Sequence, residues 1–153
     1  MLAPEDEPFM RLAIEASARA LEQGDGPFGA ALTKGGVLIQ IGHNNQNSAG
    51  DFMGHAEVVL VRDAARVHGR SACQGATVYA SGEPCAMCCG AMFWAGISRV
   101  VYAATQADII AALGGASLPI TSTQVLAGAT PPVVVDGPLL REDAVAVLRR
   151  VRA

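Results

Sequence analysis

The sequence predicts a single α/β domain, residues 1–153, with one mixed sheet covered by helices on both faces. Three observations lead there. Two short apolar runs, residues 28–33 and 37–41, flank Lys34-Gly35-Gly36, which is a hairpin signal. After that hairpin, strand-like and helix-like segments alternate along the chain, a pattern that builds parallel strands joined by helical crossovers. The 153 residues are 51% apolar and 16% charged, enough to bury a real core and too apolar for disorder.

Each element has a local reason. Residues 8–23 read as a helix: Leu12, Ala16 and Leu21 form an apolar stripe, acids precede it and Gly24 stops it. The hairpin strands follow, then a polar, glycine-containing loop over 44–54. A helix opens at His55 and runs to about residue 67, with Val58, Val59 and Ala65 as candidate core residues. Residues 75–80 form a short strand. Pro84 suits the first turn of a helix reaching residue 95. Residues 99–103 are a strand, and 107–113 a short helix stopped by Gly114-Gly115. A loop with a short helical turn covers 114–132. The last strand is 133–135 and the last helix 139–151. No internal repeat or low-complexity linker interrupts this order.

Bulk properties exclude several classes. No uninterrupted apolar run is long enough to span a bilayer. Residues 1–8 carry Glu5, Asp6 and Glu7 and no base, so they do not read as a secretory leader, and a cytosolic location is expected. In that compartment four cysteines point to metal binding or catalysis rather than disulfides. The formal net charge is −3, with one lysine, Lys34, and ten scattered arginines, whereas nucleic-acid binders show a basic face. The one cluster, Arg149, Arg150 and Arg152, reads as charge favourable to a helix C-terminus plus a solvated tail.

Two short runs carry the chemistry: His55-Ala56-Glu57 and Pro84-Cys85-Ala86-Met87-Cys88. One histidine and two cysteines are three ligands for Zn2+, and a three-ligand zinc keeps a position open for water, unlike a closed structural site. The Cys85–Cys88 spacing puts both sulfurs on one side of a first helical turn, where the helix N-terminus favours thiolate. His55 also starts a helix. Zinc so held acidifies its water and supplies hydroxide near neutral pH. Glu57, two residues beyond His55, is placed as a proton carrier rather than a fourth ligand. His-x-Glu with Pro-Cys-x-x-Cys matches the zinc-deaminase signature, so the implied reaction is hydrolytic deamination of an amino-substituted heterocycle.

Blander readings stand beside this one. A lone C-x-x-C is often a redox pair, but that gives His55-x-Glu57 no purpose. A closed, non-catalytic zinc module would need a fourth ligand from Cys73, Cys89, His43 or His68. Cys73 and Cys89 read as small buried hydrophobes, and His43 and His68 as surface or strand-end residues. Trp94, on an apolar helix, reads as core. Glu83 reads as a capping carboxylate at the start of the second metal-bearing helix.

With these residues in view, the chain resembles the cytidine/deoxycytidylate deaminase superfamily, in its guanine deaminase and tRNA adenosine deaminase branch. The resemblance rests on Gly26-Pro27-Phe28-Gly29-Ala30, Gly42-His43-Asn44, His55-Ala56-Glu57-Val58, Gly82-Glu83-Pro84-Cys85-Ala86-Met87-Cys88 and Arg99-Val100-Val101-Tyr102-Ala103-Ala104, in that order. It implies a three-layer α/β/α sandwich with a five-stranded mixed sheet, zinc on His55, Cys85 and Cys88, and Glu57 as proton shuttle. It also implies that Asn44 hydrogen-bonds the substrate, that the Ala56 N–H meets a base carbonyl, and that the chain forms a homodimer. Pro27-Phe28-Gly29 and Phe93-Trp94-Ala95 are similar to guanine deaminases, where the aromatics, here Phe28 and Trp94, help line the base pocket. Guanine deaminases carry a Phe-Asp-Asp run shortly beyond the position of Asp108, whereas this chain has Leu113-Gly114-Gly115-Ala116 there, without an acid. The C-terminal part is more similar to the tRNA enzymes, while the acidic balance argues against phosphate binding. The expected substrate is therefore a small guanine-like or related amino-heterocycle, with adenosine in tRNA as the alternative.

Overall fold

The computed structural model describes residues 1–152 and carries seven α-helices and five strands. In chain order these are α1 (Asp6–Glu22), β1 (Gly29–Lys34), β2 (Val37–His43), α2 (Gln46–Ala49), α3 (Ala56–His68), β3 (Thr77–Gly82), α4 (Ala86–Ala95), β4 (Arg99–Ala104), α5 (Gln106–Leu113), α6 (Ser122–Leu126), β5 (Val134–Asp136) and α7 (Arg141–Arg149).

The strands form one sheet in the order β2-β1-β3-β4-β5. β1 runs antiparallel to β2 and β3, while β3, β4 and β5 are parallel. Alternation along the strands feeds two cores. Ala30, Leu32, Val78 and Val100 face α3 and α4, where they meet Leu60, Ala64, Cys89 and Met92. Their neighbours Ala31, Tyr79 and Val101 face the other way, toward Met10, Ala13 and Ile14 of α1 and Val145 and Leu148 of α7. Central strands covered on both faces become apolar almost throughout, which is why β1, β3 and β4 read as continuous runs. The result is the expected three-layer sandwich.

Several boundaries move, each for a physical reason. α1 begins at Asp6 rather than residue 8, because the Asp6 carboxylate accepts the Ala3 N–H at 2.7 Å and closes the first turn. β3 starts and ends two residues later than its sequence pattern. Gly75 is in a turn at φ +72°, and pairing with β4 continues to Gly82. The loop over 44–54 contains α2, one helical turn held by Asp25, whose carboxylate accepts the Asn47 and Ser48 N–H groups and the Ser48 hydroxyl. Pro84 stands before the α4 cap rather than inside the first turn. α7 is shorter than expected, and Arg150–Arg152 form a 3-10 turn. Arg149 and Arg150 are exposed there, as a solvated end requires; the Arg152 side chain lies outside the described residues.

At the start of β4, Arg99 is the centre of a polar cluster. Its guanidinium donates to Asp6 at 2.7 and 2.9 Å and to Asp136 at 2.9 Å, and the Tyr79 hydroxyl donates to Asp6 at 2.7 Å. Asp6 is 3% exposed. The Arg99 hydrogen bond, against the opposing effect of burial, holds the Asp6 carboxyl well below the usual carboxylate range. No described helix is long and apolar enough to cross a membrane.

Candidate active site

His55 and Cys85 are the N-cap residues of α3 and α4, each with extended backbone, and Cys88 lies in the first turn of α4. The two helices pack side by side against the same sheet face, so their N-termini converge beyond the end of β3. Cys85 Sγ and Cys88 Sγ are 3.6 Å apart, and His55 Nδ1 lies 3.6 Å from the first and 3.4 Å from the second. A tetrahedral zinc with bonds of about 2.3 Å to sulfur and 2.0–2.1 Å to nitrogen needs edges of about 3.8 Å between sulfurs and about 3.6 Å from sulfur to nitrogen. The observed triangle therefore fits one face of that tetrahedron and leaves the fourth vertex to the cavity. These three are the one metal-capable group among the described residues.

Electrostatics agree with a cation there. The two sulfurs lie within hydrogen-bonding distance of each other. The Cys85 thiol is pushed down to about 4, chiefly by its hydrogen bond with Cys88 and against burial, and Cys88 is pushed up by that same bond and by burial. A divalent ion satisfies both as thiolates. Glu57, 5% exposed, is the second residue of α3, in its first turn beside this triangle. Burial pushes its carboxyl up, and the Cys88 hydrogen bond opposes that rise.

The reserve ligands are elsewhere. Cys73 and Cys89 are 1% and 0% exposed, and their thiols turn to the carbonyls of Val61 and Pro84. His43 Nδ1 lies 3.0 Å from the Asn44 carbonyl, and His68 pairs with Gln40 on the surface. The chemistry needed for a closed zinc site is thus not assembled among the described residues.

A cavity of about 250 Å³ opens onto the triangle. This is just under the range of about 300–1,000 Å³ usual for drug-sized ligands, and suits one heterocycle. Phe28, Asn44, Ala56 and Glu57 line it together with His55 and Cys85. Ala56 is the first residue of α3, where a helix leaves its N–H without an intrahelical partner. Asn44 is 2% exposed and its amide is oriented: Oδ1 accepts the Gly26 and Gln46 N–H groups at 3.3 and 3.0 Å. Nδ2 is left to donate, and it does so to Gln46 Oε1 at 2.9 Å. Gly82 sits on the cavity floor at the end of β3; a Cβ there would come within 2.8 Å of the Phe28 ring and 3.0 Å of Ile109 Cδ1.

Trp94 does not join these residues. It is 81% exposed, so the core reading is corrected, and it does not line the cavity of its own chain. Helix geometry gives the reason. Met92 is fully buried, and a residue two positions on lies about 200° around the helix. Trp94 instead packs edge-on against Phe93, with ring centroids 5.1 Å apart.

The facing wall combines Gln106, Ile109 and Ile110 of α5, which sequence reasoning missed, with Leu113, Gly114, Ala116, Ser117 and Leu118, all but the first in the 114–132 loop that sequence reasoning expects to supply specificity contacts. Its one legible signal is a short apolar helix beside a glycine-rich stretch. Gln46, the first residue of the 46–54 loop that sequence reasoning also expects to reach the substrate, lines the cavity as well. Glu83 does cap helices, but they are α5 and α6 rather than α4: Oε1 accepts the Gln106 N–H at 2.9 Å, and Oε2 accepts the Ser122 N–H and hydroxyl at 3.0 and 2.7 Å.

Comparison with known proteins places this geometry. The family model of the cytidine and deoxycytidylate deaminase zinc-binding region matches residues 3–104. The chain is 39% identical over 103 residues to the guanine deaminase of Bacillus subtilis, covering 67% of this chain and 66% of that protein. It is 31% identical over 148 residues to a probable cytosine deaminase of Schizosaccharomyces pombe, covering 94% and 90%. It is 35% identical over 100 residues to the tRNA-specific adenosine deaminase of Bacillus subtilis, covering 65% and 62%. The matched parts thus span just under two thirds of the two Bacillus relatives. The crystal structure of guanine deaminase from Nitrosomonas europaea superposes with a TM-score of 0.81 at 27% identity, covering 98% of this chain and 85% of that one. Matched by the family model over residues 3–104, which carry the metal ligands, and by that crystal structure over nearly its whole length, the chain belongs to the cytidine and deoxycytidylate deaminase family of zinc-binding proteins.

Proposed function

We propose that this chain is a one-domain, zinc-dependent hydrolytic deaminase of a small amino-substituted nucleobase or related heterocycle, with a guanine-like base favoured. One observation carries the reading: a three-ligand triangle with its fourth vertex open toward a cavity sized for a single heterocycle, beside the buried carboxylate of Glu57. His55, Cys85 and Cys88 would hold the ion. Bound there, zinc supplies the Lewis acidity that makes water a nucleophile near neutral pH.

The chain's own residues supply the rest. Glu57 takes a proton from the attacking water and delivers it to a ring nitrogen, then gives a second to the departing amine, so that water and the amino-heterocycle become the oxo-heterocycle and ammonia. Asn44 presents Nδ2, since its oxygen is occupied by two backbone N–H groups, and so asks the substrate for an acceptor. The Ala56 N–H meets a base carbonyl, and Phe28 packs on the ring. Trp94 reaches a substrate only from a second copy of the chain. Its exposure, with that of Phe52 and Met53 at 95% and 59%, supports the homodimer. All four cysteines are free, which suits the reducing cytosol.

A second reading, deamination of adenosine in tRNA, is favoured by the tRNA-specific relatives. The net charge of −3 argues against it, because phosphate contacts need neutralising cations. A closed, non-catalytic zinc module is disfavoured by the inward turn of Cys73 and Cys89.

The test is ammonia release by zinc-loaded protein from guanine, guanosine, adenine, cytosine, cytidine, a pterin and an amino-triazine. Glu57→Gln serves as the zinc-retaining control. Release from one compound, abolished in Glu57→Gln, supports the proposal. Silence across the panel, with a tRNA band shifted at low salt, transfers the assignment to the editing reaction.

A further inference from the structure

Glu83 is the one acid at the cavity, besides Glu57, and the deamination scheme does not use it. Its surroundings say what it does. Its backbone N–H is tied to the Ala104 carbonyl at 2.7 Å, at the end of β4, and Pro84-Cys85 follows directly. Its carboxylate reaches across the cavity floor to two other elements. One oxygen takes the first N–H of α5, at Gln106. The other takes the first N–H of α6 and the hydroxyl of the fully buried Ser122. Thr105 and Thr121 already supply each helix with a capping box, so Glu83 is an additional tie between helices rather than the cap either one needs to form. Between the two tied points runs the segment that walls the cavity, and Gln106 holds it from within by donating its side-chain amide to the Leu118 carbonyl at 2.7 Å.

We propose that Glu83 is a positioning residue. Its carboxylate fastens the starts of α5 and α6 to the metal-bearing turn, and thereby sets the distance between the metal triangle and the wall over residues 113–118 that selects the heterocycle. The part of this that concerns substrate rests on the deaminase reading above. Both Glu83 oxygens are engaged with the protein, so Glu83 acts on the substrate through the wall and not by contact.

Glu83→Gln keeps the shape but turns an NH2 toward one helix's N–H groups. With whichever panel compound is turned over, KM should rise about tenfold, the scale of a lost charge-assisted hydrogen bond. The value of kcat should stay within about threefold and zinc at about one per chain. Amide hydrogen exchange should quicken over residues 113–121 and not over α3 or α4. Ser122→Ala, which keeps the backbone N–H, should shift KM the same way by less, and the double variant should be non-additive. If Glu83→Gln does not fold, Ser122→Ala alone decides by the same readouts. Unchanged exchange over 113–121, exchange raised throughout the chain, or a fall in kcat with loss of zinc would each overturn the proposal. The exchange measurement needs no substrate, so a silent panel would count against the deaminase reading and leave Glu83 still judged.

Discussion

At the start of β4 Arg99 pairs with Asp6 and Asp136, and Tyr79 donates to Asp6, so every member has a partner. At the far end of β3 and β4 the polar groups are just as concentrated, but His55, Cys85 and Glu57 line a cavity, with Cys88 buried behind them to close the ligand triangle. One sheet carries both. The saturated cluster ties α1, β3, β4 and β5 together and offers nothing to a ligand. The unsaturated cluster costs the fold two crowded thiols and a buried carboxylate, which the proposed ion and substrate would complete. Local saturation, more than the number of charged residues, separates the stabilising end from the reactive end.

That contrast can be broken experimentally. The largest effect belongs to Cys88→Ala, which should take zinc from about one per chain to well below it and abolish turnover, read by metal analysis and ammonia release. Glu57→Gln should lower kcat by about 10²–10⁴-fold with zinc and melting temperature unchanged. If it melted several degrees lower instead, Glu57 would belong with the stabilising groups.

At the other end, Arg99→Leu should leave Asp6 buried without its cation and cost about 3 kcal/mol in denaturant titration, with kcat of the surviving fold unchanged. Its pH dependence has a definite sign. The folded Asp6 carboxyl is held low, so its stabilisation is complete above the ordinary carboxylate value of about 4 and drains away as pH falls below that. The acid limb of the stability curve should therefore be steeper in the wild type than in Arg99→Leu.

Asn44→Asp tests the boundary between the two kinds of group. It keeps the oxygen that accepts the Gly26 and Gln46 N–H groups and loses the donor, so KM should rise about tenfold or more while the loop stays folded. The smallest effect is Trp94→Ala, within about 0.5 kcal/mol on the stability of the isolated chain. A larger change confined to dimer dissociation or KM would place the indole in a contact between copies.

How much of this the sequence disclosed follows from range. The central strands β1, β3 and β4 were legible because burial on both faces makes them apolar almost throughout, and β2 because a hairpin signal precedes it. The metal triangle was legible because its ligands sit at two helix starts, and a helix start is a local event. Trp94 was misread because α4 is apolar around its whole circumference, so periodicity could not say which side meets the core. The tie from Glu83 to Gln106 and Ser122 crosses 23 and 39 positions, and no spacing rule reports a carboxylate shared between two distant helix starts. The 46–54 loop was legible as a contact loop but its helical turn was not, for a similar reason: α2 is held by Asp25, more than twenty residues earlier.

The order of these parts along the chain has a consequence in time. All three metal ligands have been made by residue 88, whereas the wall is fastened only when Ser122 arrives and the sheet is finished only at Asp136. At roughly 5–20 residues per second, a ribosome needs about 2–7 s to travel from Cys88 to Ser122. During synthesis the ligand set is therefore complete before its cover exists, and an ion arriving then would meet a doorway that the finished fold narrows.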